Sequence, residues 1–296
     1  MKRILVTGAT GNVGMEVIRF LLEGHAGNQL IAGVRNIAKA KKVFPEYSLL
    51  EYVTFDFENA DTFDQALENI DTIFLLRPPH ISDVPAYFSP LIEKIKQKGI
   101  HQIVFLSVQG AETSKIIPHN KIEKIIRESR MDYIFLRPSY FMQNLTTTLL
   151  KDIQQKHRII LPAGKAKFNW IDVEDIGAAA AKLLESFDNY KNQAIELTGT
   201  ENENFATVTD LLNEVTDDKI EYINTNPIRY YQVKKKEGMI SGLILVMIML
   251  HFLPRFQKEP RRTSSFEKIT GRKSVTIREF FQREKSKFSS SNSYFN

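Results

Sequence analysis

Short runs of apolar residues alternate along the first half of the chain with segments in which apolar residues recur every three or four positions. The runs predict β-strands and the spaced pattern predicts helices. The predicted strands are residues 2–7, 29–34, 50–55, 72–76, 102–107 and 132–136. Regular alternation of strand and helix predicts right-handed βαβ units. The expected fold class is therefore α/β, a Rossmann-type doubly wound parallel sheet with helices on both faces.

The first predicted strand runs directly into a turn with three glycines at three-residue spacing. The residues of this turn that we expect to bind a ligand are Gly8, Thr10, Gly11, Asn12, Val13 and Gly14. A strand, a glycine turn and a helix start in this order form an anion site, because the amide groups are exposed and the helix dipole points at them. The pattern favours a dinucleotide pyrophosphate site, and the alternative is a plain βα turn.

In a doubly wound sheet the ligand lies beyond the carboxyl ends of the strands, so the residues there are candidates for cofactor binding. Arg35 follows the second strand, where a cation can pair with the 2′-phosphate of NADP, and this favours NADP(H) over NAD(H). The alternative is an exposed loop arginine. Asp56 follows the third strand and either contacts the adenine amino group or serves a capping or turn role.

The ends of the fourth and fifth strands add further candidates. Leu76, Arg77 and Pro78 are expected to form a wall along the cofactor, with a merely rigid proline loop as the alternative. Ser107 is expected near the nicotinamide.

The assembled motifs resemble the NmrA-like branch of the atypical short-chain dehydrogenases and reductases, including its NAD(P)H:quinone reductase and triphenylmethane reductase members. The segments that carry the resemblance are residues 7–14, 34–35, 78–79, 119–123, 136–138, 168–177, 195–199 and 270–272. It extends to about residue 285. The resemblance implies a Rossmann fold, a nicotinamide cofactor and a cofactor contact at Pro138. It leaves the substrate open, since the family contains both reductases and redox-sensing regulators.

Ordinary short-chain dehydrogenases carry a Tyr-x-x-x-Lys pair on the helix after the fifth strand, but residues 110–130 of this chain contain no tyrosine. Related reductases place a lysine there, and the corresponding position is His119, with Lys121 two residues later. His119 is expected to donate a proton near neutral pH or to orient the cofactor amide or a substrate carbonyl, with Glu123 orienting it. The alternative for His119 is a solvent-facing residue at the helix start.

In the related proteins, the segment after the sixth strand lines the acceptor pocket. Tyr140 is the third catalytic candidate, and Phe141 and Asn144 supply an aromatic wall and a polar anchor for a flat substrate. Trp170 is expected to close the same site. Core packing is the alternative for both Phe141 and Trp170.

The predicted organisation is a Rossmann domain over residues 1–150, a smaller α+β substrate lobe over 151–285 that is interwoven with it, and a disordered tail over 286–296. A strand at 195–197 is assigned to the smaller lobe. Residues 239–253 are strongly apolar. They are too short to span a bilayer, which takes roughly twenty residues. We prefer a buried helix over the substrate cleft, with a homodimer contact and membrane association as alternatives.

Composition narrows these expectations. The chain has 296 residues and no cysteine, which excludes disulfides and thiolate sites, and no metal site is expected. Glycines and charges interrupt the start, so it is not a signal peptide, and we expect a cytoplasmic protein. Eleven basic and four acidic residues lie between Arg255 and Lys287. They indicate either an anionic partner or, as we prefer, a solvated helical surface, with no nucleic acid.

Two functions follow. The first is NADPH-dependent reduction of a quinone or similar conjugated small molecule by hydride transfer. The second is an NADP(H)-binding redox-sensing regulator that acts through a protein partner without turnover.

Overall fold

The computed structural model describes residues 2–24, 27–114 and 117–289. The strands in chain order are β1 (Arg3–Thr7), β2 (Gln29–Val34), β3 (Glu51–Thr54), β4 (Thr72–Leu76), β5 (Gln102–Leu106), β6 (Asp132–Pro138), β7 (Tyr140–Phe141), β8 (Arg158–Leu161), β9 (Lys167–Ile171), β10 (Gln193–Leu197), β11 (Glu201–Asn204) and β12 (Glu221–Asn224).

The helices in chain order are α1 (Asn12–Glu23), α2 (Ile37–Val43), α3 (Phe63–Ala66), α4 (Val84–Gln97), α5 (Pro118–Glu128), α6 (Leu150–Lys156), α7 (Val173–Glu185), α8 (Phe187–Tyr190), α9 (Phe205–Thr216), α10 (Pro227–Lys236), α11 (Ser241–Phe252), α12 (Ser265–Thr270) and α13 (Ile277–Phe288). Short 3-10 turns lie at Ala60–Thr62, Met142–Asn144 and Leu253–Phe256.

The largest sheet has the strand order β10-β6-β5-β4-β1-β2-β3, and every neighbouring pair in it is parallel. The chain runs outward from β1 through β2 and β3, and then returns to β4 on the other side of β1. This reversal next to β1 is the point at which doubly wound sheets bind ligands, beyond the strands' carboxyl ends. The predicted fold class is confirmed.

The chain divides into two compact units. Unit 1 comprises Met1–Pro138, Val173–Leu197 and Ser264–Arg272, and unit 2 comprises Ser139–Asp172, Thr198–Thr263 and Lys273–Asn296. The chain first passes from unit 1 to unit 2 after Pro138, earlier than the predicted domain boundary at residue 150. The reason is that β6 ends at Pro138 and β7 pairs with β9 in another sheet. The strand predicted at 195–197 belongs to unit 1 rather than the smaller lobe, since β10 pairs with β6 and places Ile195 opposite Leu136.

Unit 1 buries the apolar strand residues against helices packed on the sheet. The contact between α1 and α7 is close because Gly177 lies where a Cβ would come within 2.3 Å of the Glu16 Cβ. A larger residue there would push the two helices apart. Since β1 leads directly into α1, this packing helps fix the direction in which α1 points toward the candidate site.

Unit 2 has its own core. A three-stranded sheet ordered β11-β9-β7 and a two-stranded sheet of β8 and β12 accompany its helices. The core gathers aromatic residues from separate elements, including Trp170, Phe205 and Phe280. Phe288 is also buried, so α13 continues into the predicted tail as far as that residue. Residues 290–296 of that tail lie outside the described residues.

The apolar segment at 239–253 is not the buried helix that we predicted. It forms α11, which buries only Ile244, Met247 and His251, while most of its other apolar side chains are exposed. A helix that packs by one side buries only that side, and here the remaining sides are apolar too. None of the helices within the described ranges is long and apolar enough to cross a membrane.

Candidate functional site

The glycine turn of unit 1 depends on missing side chains at two of its glycines. Gly8 has φ +60°, and a Cβ there would lie 2.6 Å from Leu76 Cδ2. At Gly14 a Cβ would lie 2.3 Å from the Gly8 carbonyl oxygen. The Gly11 amide donates to that same oxygen at 2.9 Å. Side chains at these positions would therefore force the turn open.

The start of α1 is free to bind an anion. Its N-cap is Gly11, no side chain caps it, and its first turn contains no acidic residue. The first amides of a helix lack intrahelical acceptors, and the dipole adds positive potential. Thr10 and Asn12 are exposed, whereas the Val13 side chain is buried and leaves only its backbone to contribute. A cradle that Cβ atoms would fill, beside uncapped amides, fits the pyrophosphate of a dinucleotide.

Asp56 forms a hydrogen bond within the protein, whereas the Arg35 side chain forms none with a described residue. Arg35 is exposed directly after β2 and forms no ion pair or hydrogen bond with another described residue. The neighbouring Asn36 caps α2 by accepting from the Lys39 amide. Asp56 accepts from the Glu58 amide at 3.1 Å, which is the turn role given above as its alternative.

Arg77 fastens the loop that follows β4. Its Nη1 donates to the carbonyl oxygens of Pro78 and Pro79, both at 3.1 Å, and of Ile81 at 2.5 Å. Three acceptors from its own loop hold the guanidinium in place. Arg77 therefore stabilises the loop that contains Pro78, and its positive charge acts on His119 nearby.

A buried ionic network joins the ends of β5 and β6. Glu123 is fully buried and accepts from Ser107 Oγ at 2.6 Å and from Arg137 Nε and Nη2 at 2.9 and 2.7 Å. Arg127 Nη2 donates to it at 3.0 Å. The prediction that Glu123 orients His119 is wrong, because these donors already occupy the carboxylate. The network instead fixes Ser107, and the Pro138 carbonyl accepts from the Gln109 amide at 2.9 Å.

His119 lies on the first turn of α5, with its ring centroid 6.0 Å from that of Phe105. Burial and the nearby Arg77 guanidinium lower the pKa of His119 to about 3. The imidazole is therefore neutral near pH 7, which favours the second expected role, orienting a carbonyl or amide, over proton donation. Its buried Nδ1 has no hydrogen-bond partner within the described residues. Lys121 is exposed and likewise makes no described contact.

Tyr140 belongs to unit 2 and forms a hydrogen bond with His251, which lies on the buried side of α11. His251 Nδ1 lies 2.7 Å from the Met247 carbonyl oxygen, and Nε2 lies 3.0 Å from Tyr140 Oη. Burial lowers the pKa of His251 to about 4, so the ring is neutral. A carbonyl oxygen only accepts, so we assign the ring proton to Nδ1 and the tyrosine as donor to Nε2.

In this arrangement the Tyr140 hydroxyl proton is used in the hydrogen bond to His251 Nε2. Burial also raises the pKa of Tyr140 well above its ordinary value, although a hydrogen bond from the Asn144 side chain opposes the shift. Sequence reasoning missed His251 because it lies inside an apolar run. The one available signal was a polar residue in that run.

Trp170 is fully buried, and its indole nitrogen donates to the Glu203 carbonyl at 2.9 Å. Its ring packs against Tyr140 and Phe205 at 4.9 and 5.1 Å between centroids. Trp170 therefore packs in the core, which is the alternative given for it above. Phe141 and Asn144 are half-buried in unit 2. No cluster of three metal-binding side chains occurs within the part of the chain that the structure describes.

Comparisons with known proteins agree with this architecture. The chain is 29% identical over 278 residues to Prestalk A differentiation protein A of Dictyostelium discoideum, covering 94% of this chain and 90% of that protein. It is 28% identical to the NAD(P)H azoreductase of Xenophilus azovorans, covering 94% and 96%.

Among solved structures, the NADPH-dependent quinone oxidoreductase of Escherichia coli complexed with NADPH has a similar fold. The TM-score is 0.84 at 22% identity, covering 95% of this chain and 99% of that one. The model of the NmrA-like family matches residues 1–281. The chain therefore belongs to the NmrA-like family.

Proposed function

We propose that this protein is an NADPH-dependent oxidoreductase that reduces a quinone or a similar conjugated acceptor by hydride transfer. The observation that carries the proposal is the uncapped start of α1 beside the Gly8–Gly14 contact, with the exposed Arg35 following the neighbouring strand β2. The similarity to an NAD(P)H azoreductase and to an NADPH-dependent quinone oxidoreductase supports the same chemistry.

The proposed cofactor residues divide by the part of the molecule that they would hold. Gly8, Thr10, Gly11 and the first amides of α1 would bind the pyrophosphate, and Arg35 would pair with the 2′-phosphate. Asp56 remains a proposed adenine contact, because its carboxylate can accept further hydrogen bonds besides the one from the Glu58 amide. The proposed contacts closer to the nicotinamide are Leu76, Pro78, Ser107 and Pro138. When bound, a reduced nicotinamide supplies a hydride.

His119 is proposed as a neutral hydrogen-bonding group. A neutral imidazole polarises a carbonyl without protonating it, and the unpartnered Nδ1 is available to a polar group of the cofactor or the acceptor. Reduction of a conjugated acceptor requires mainly placement and stabilisation of charge on an oxygen. Lys121, exposed and unengaged, remains a proposed donor. Phe141 and Asn144 remain proposed acceptor-binding residues, and Tyr140 is left out of the proton transfer.

The test is NADPH oxidation by the purified full chain with a panel of quinones, azo dyes and triphenylmethane dyes. We expect turnover with at least one class, and faster turnover with NADPH than with NADH. Binding of NADPH without turnover of any acceptor would overturn the reductase assignment.

The rival proposal is a redox-sensing regulator, which needs no proton donor and is therefore also compatible with the Tyr140 hydrogen bond to His251. Such a regulator would bind different protein partners in its NADP and NADPH forms. A pull-down that recovers the same partners with both forms would count against it.

A further inference from the structure

The exposed side of α11 forms a continuous apolar face. Five of its side chains, together with that of Leu253 directly after the helix, are each between 41% and 58% exposed. They are Leu243, Leu245, Val246, Met249, Leu250 and Leu253. At about 100° per residue these positions cover an unbroken arc of about 160°, opposite the buried Ile244, Met247 and His251. No polar residue interrupts this apolar face.

The apolar face continues beyond both ends of the helix, through Ile240 at 70% exposure and Phe256 at 75%. Together the eight side chains leave on the order of 800 Å² of apolar surface in water, above the roughly 300–600 Å² of the largest patch on a typical monomer. A patch of this size indicates a surface that is covered during function.

A basic groove adjoins the C-terminal end of α11. The groove has a volume of about 670 Å³, and its charged lining residues are Lys165, Lys167, Arg255, Lys258 and Glu259. Glu259, its one acidic residue, already pairs with Lys167 at 3.3 Å. Lys165, Arg255 and Lys258 have no acidic partner within the described residues.

Arg255 connects the groove to the helix. Its guanidinium packs over the Phe252 ring at 5.2 Å, and it lies so close to Gly164 that a Cβ there would come within 2.8 Å of Nε. At the other end of the helix, Lys235 and Lys236 are exposed, and Lys235 Nζ contacts Ser241 Oγ at 3.0 Å. Both ends of the apolar face are therefore bordered by cations, while α11 itself carries no acidic, lysine or arginine side chain.

This charge distribution discriminates between two occupants. A two-fold contact between two copies of α11 would bring basic ends against basic ends in either direction of packing, and like charges repel. An anionic phospholipid surface satisfies both features, because lipid phosphates pair with the cations and the acyl boundary accepts the apolar side chains. At twelve residues α11 would lie along such a surface.

We propose that unit 2 binds peripherally to anionic phospholipid membranes through the apolar face of α11 and the basic groove beside it. This inference does not depend on the cofactor or on the proposed reaction.

The test is co-sedimentation of the full chain with vesicles of phosphatidylcholine alone or of phosphatidylcholine with phosphatidylserine. We expect binding to the vesicles that contain phosphatidylserine, weakened by salt. The double substitution Leu245→Asp with Met249→Asp should reduce binding at least tenfold. The pair Lys165→Glu with Lys258→Glu should reduce it on the order of 100-fold.

Matched controls are Leu49→Asp, an 80% exposed leucine of unit 1, and Lys96→Glu, an exposed lysine on α4. Both should bind as the wild type does, and thermal unfolding should confirm that all variants are folded. Absence of wild-type binding to the anionic vesicles, or binding that the unit 2 variants do not change, would overturn the proposal. Without vesicle binding, a dimer that Leu245→Asp with Met249→Asp dissociates would identify a second copy as the occupant instead.

Discussion

At the scale of single residues, burial determines which groups of this chain carry a proton. His119 and His251 are both neutral near pH 7 because burial opposes their charged forms. The neutral His251 accepts a hydrogen bond from the Tyr140 hydroxyl, so that hydroxyl is already engaged within the protein. Of the residues that sequence reasoning selected for catalysis, His119 and Tyr140 are therefore held in states that do not release a proton near pH 7, whereas Lys121 is exposed.

Replacing Tyr140 with Phe should affect stability more than turnover. His251 Nε2 would lose its donor, and an unsatisfied buried acceptor costs about 1–3 kcal/mol of unfolding free energy. Turnover with a quinone should change less than about threefold, whereas removal of a general acid costs about 10²–10⁴-fold. Urea unfolding and steady-state kinetics measure the two effects. A hundredfold loss of kcat without loss of stability would return Tyr140 to the catalytic residues.

The stability of the protein should fall in acid, partly through His251. Its pKa is about 4 in the folded chain and about 6.5 in the unfolded chain, so the unfolded state binds the extra proton between these values. The contribution of His251 to the free energy of unfolding is complete above about pH 6.5 and is lost as the pH falls toward 4. A shift of this size corresponds to about 3 kcal/mol.

Urea unfolding of the wild type and of His251→Gln across this pH range checks the assignment. The variant should be less stable at neutral pH and show a shallower loss in acid. Parallel pH profiles for the two proteins would show that His251 does not titrate as described.

At the scale of elements, the turn between β1 and α1 was predictable because its requirements are local. Three glycines, a preceding apolar strand and a following amphipathic pattern lie within a few residues of each other. The strands β2 and β4 likewise have the predicted bounds. The apolar face of α11 was not predictable in this way, because a helix that is apolar on all sides carries no periodic signal for its buried side.

Substituting Gly14 with Ala should disrupt this turn. The new Cβ would lie 2.3 Å from the Gly8 carbonyl oxygen, so the backbone must shift, which typically costs about 1–3 kcal/mol of stability. NADPH affinity should fall as well, because the same shift displaces the first amides of α1.

Gly242→Ala is the matched control, since no atom lies within 4 Å of the added Cβ and alanine favours a helix. Thermal unfolding and NADPH titration of both variants provide the comparison. A stable Gly14→Ala variant with wild-type affinity would mean that the turn does not bind the cofactor.

At the scale of the whole molecule, the features that sequence reasoning missed depend on contacts between distant residues. The sequence spacing places Glu123 one helical turn from His119. Arg137 and Ser107, which lie outside that helix, nevertheless donate hydrogen bonds that its carboxylate accepts. Trp170 is buried because β9 pairs with β7 and β11 and packs on α9. The strand at 195–197 extends the large sheet, a pairing that no local pattern specifies. Local pattern predicted the fold class and the cofactor turn, while long-range packing decided the state of the catalytic candidates.

The cofactor assignment as a whole depends on Arg35 acting with the glycine turn, and calorimetric titration with NADPH, NADP, NADH and NAD tests it most directly. We predict that the wild type binds NADPH at least tenfold more tightly than NADH, and that Arg35→Ala removes most of this difference without changing NADH affinity. Arg229→Ala, which alters another exposed arginine whose side chain has no described partner, should behave as the wild type. Failure to bind NADPH, or an Arg35→Ala variant that keeps the full preference, would contradict the assignment.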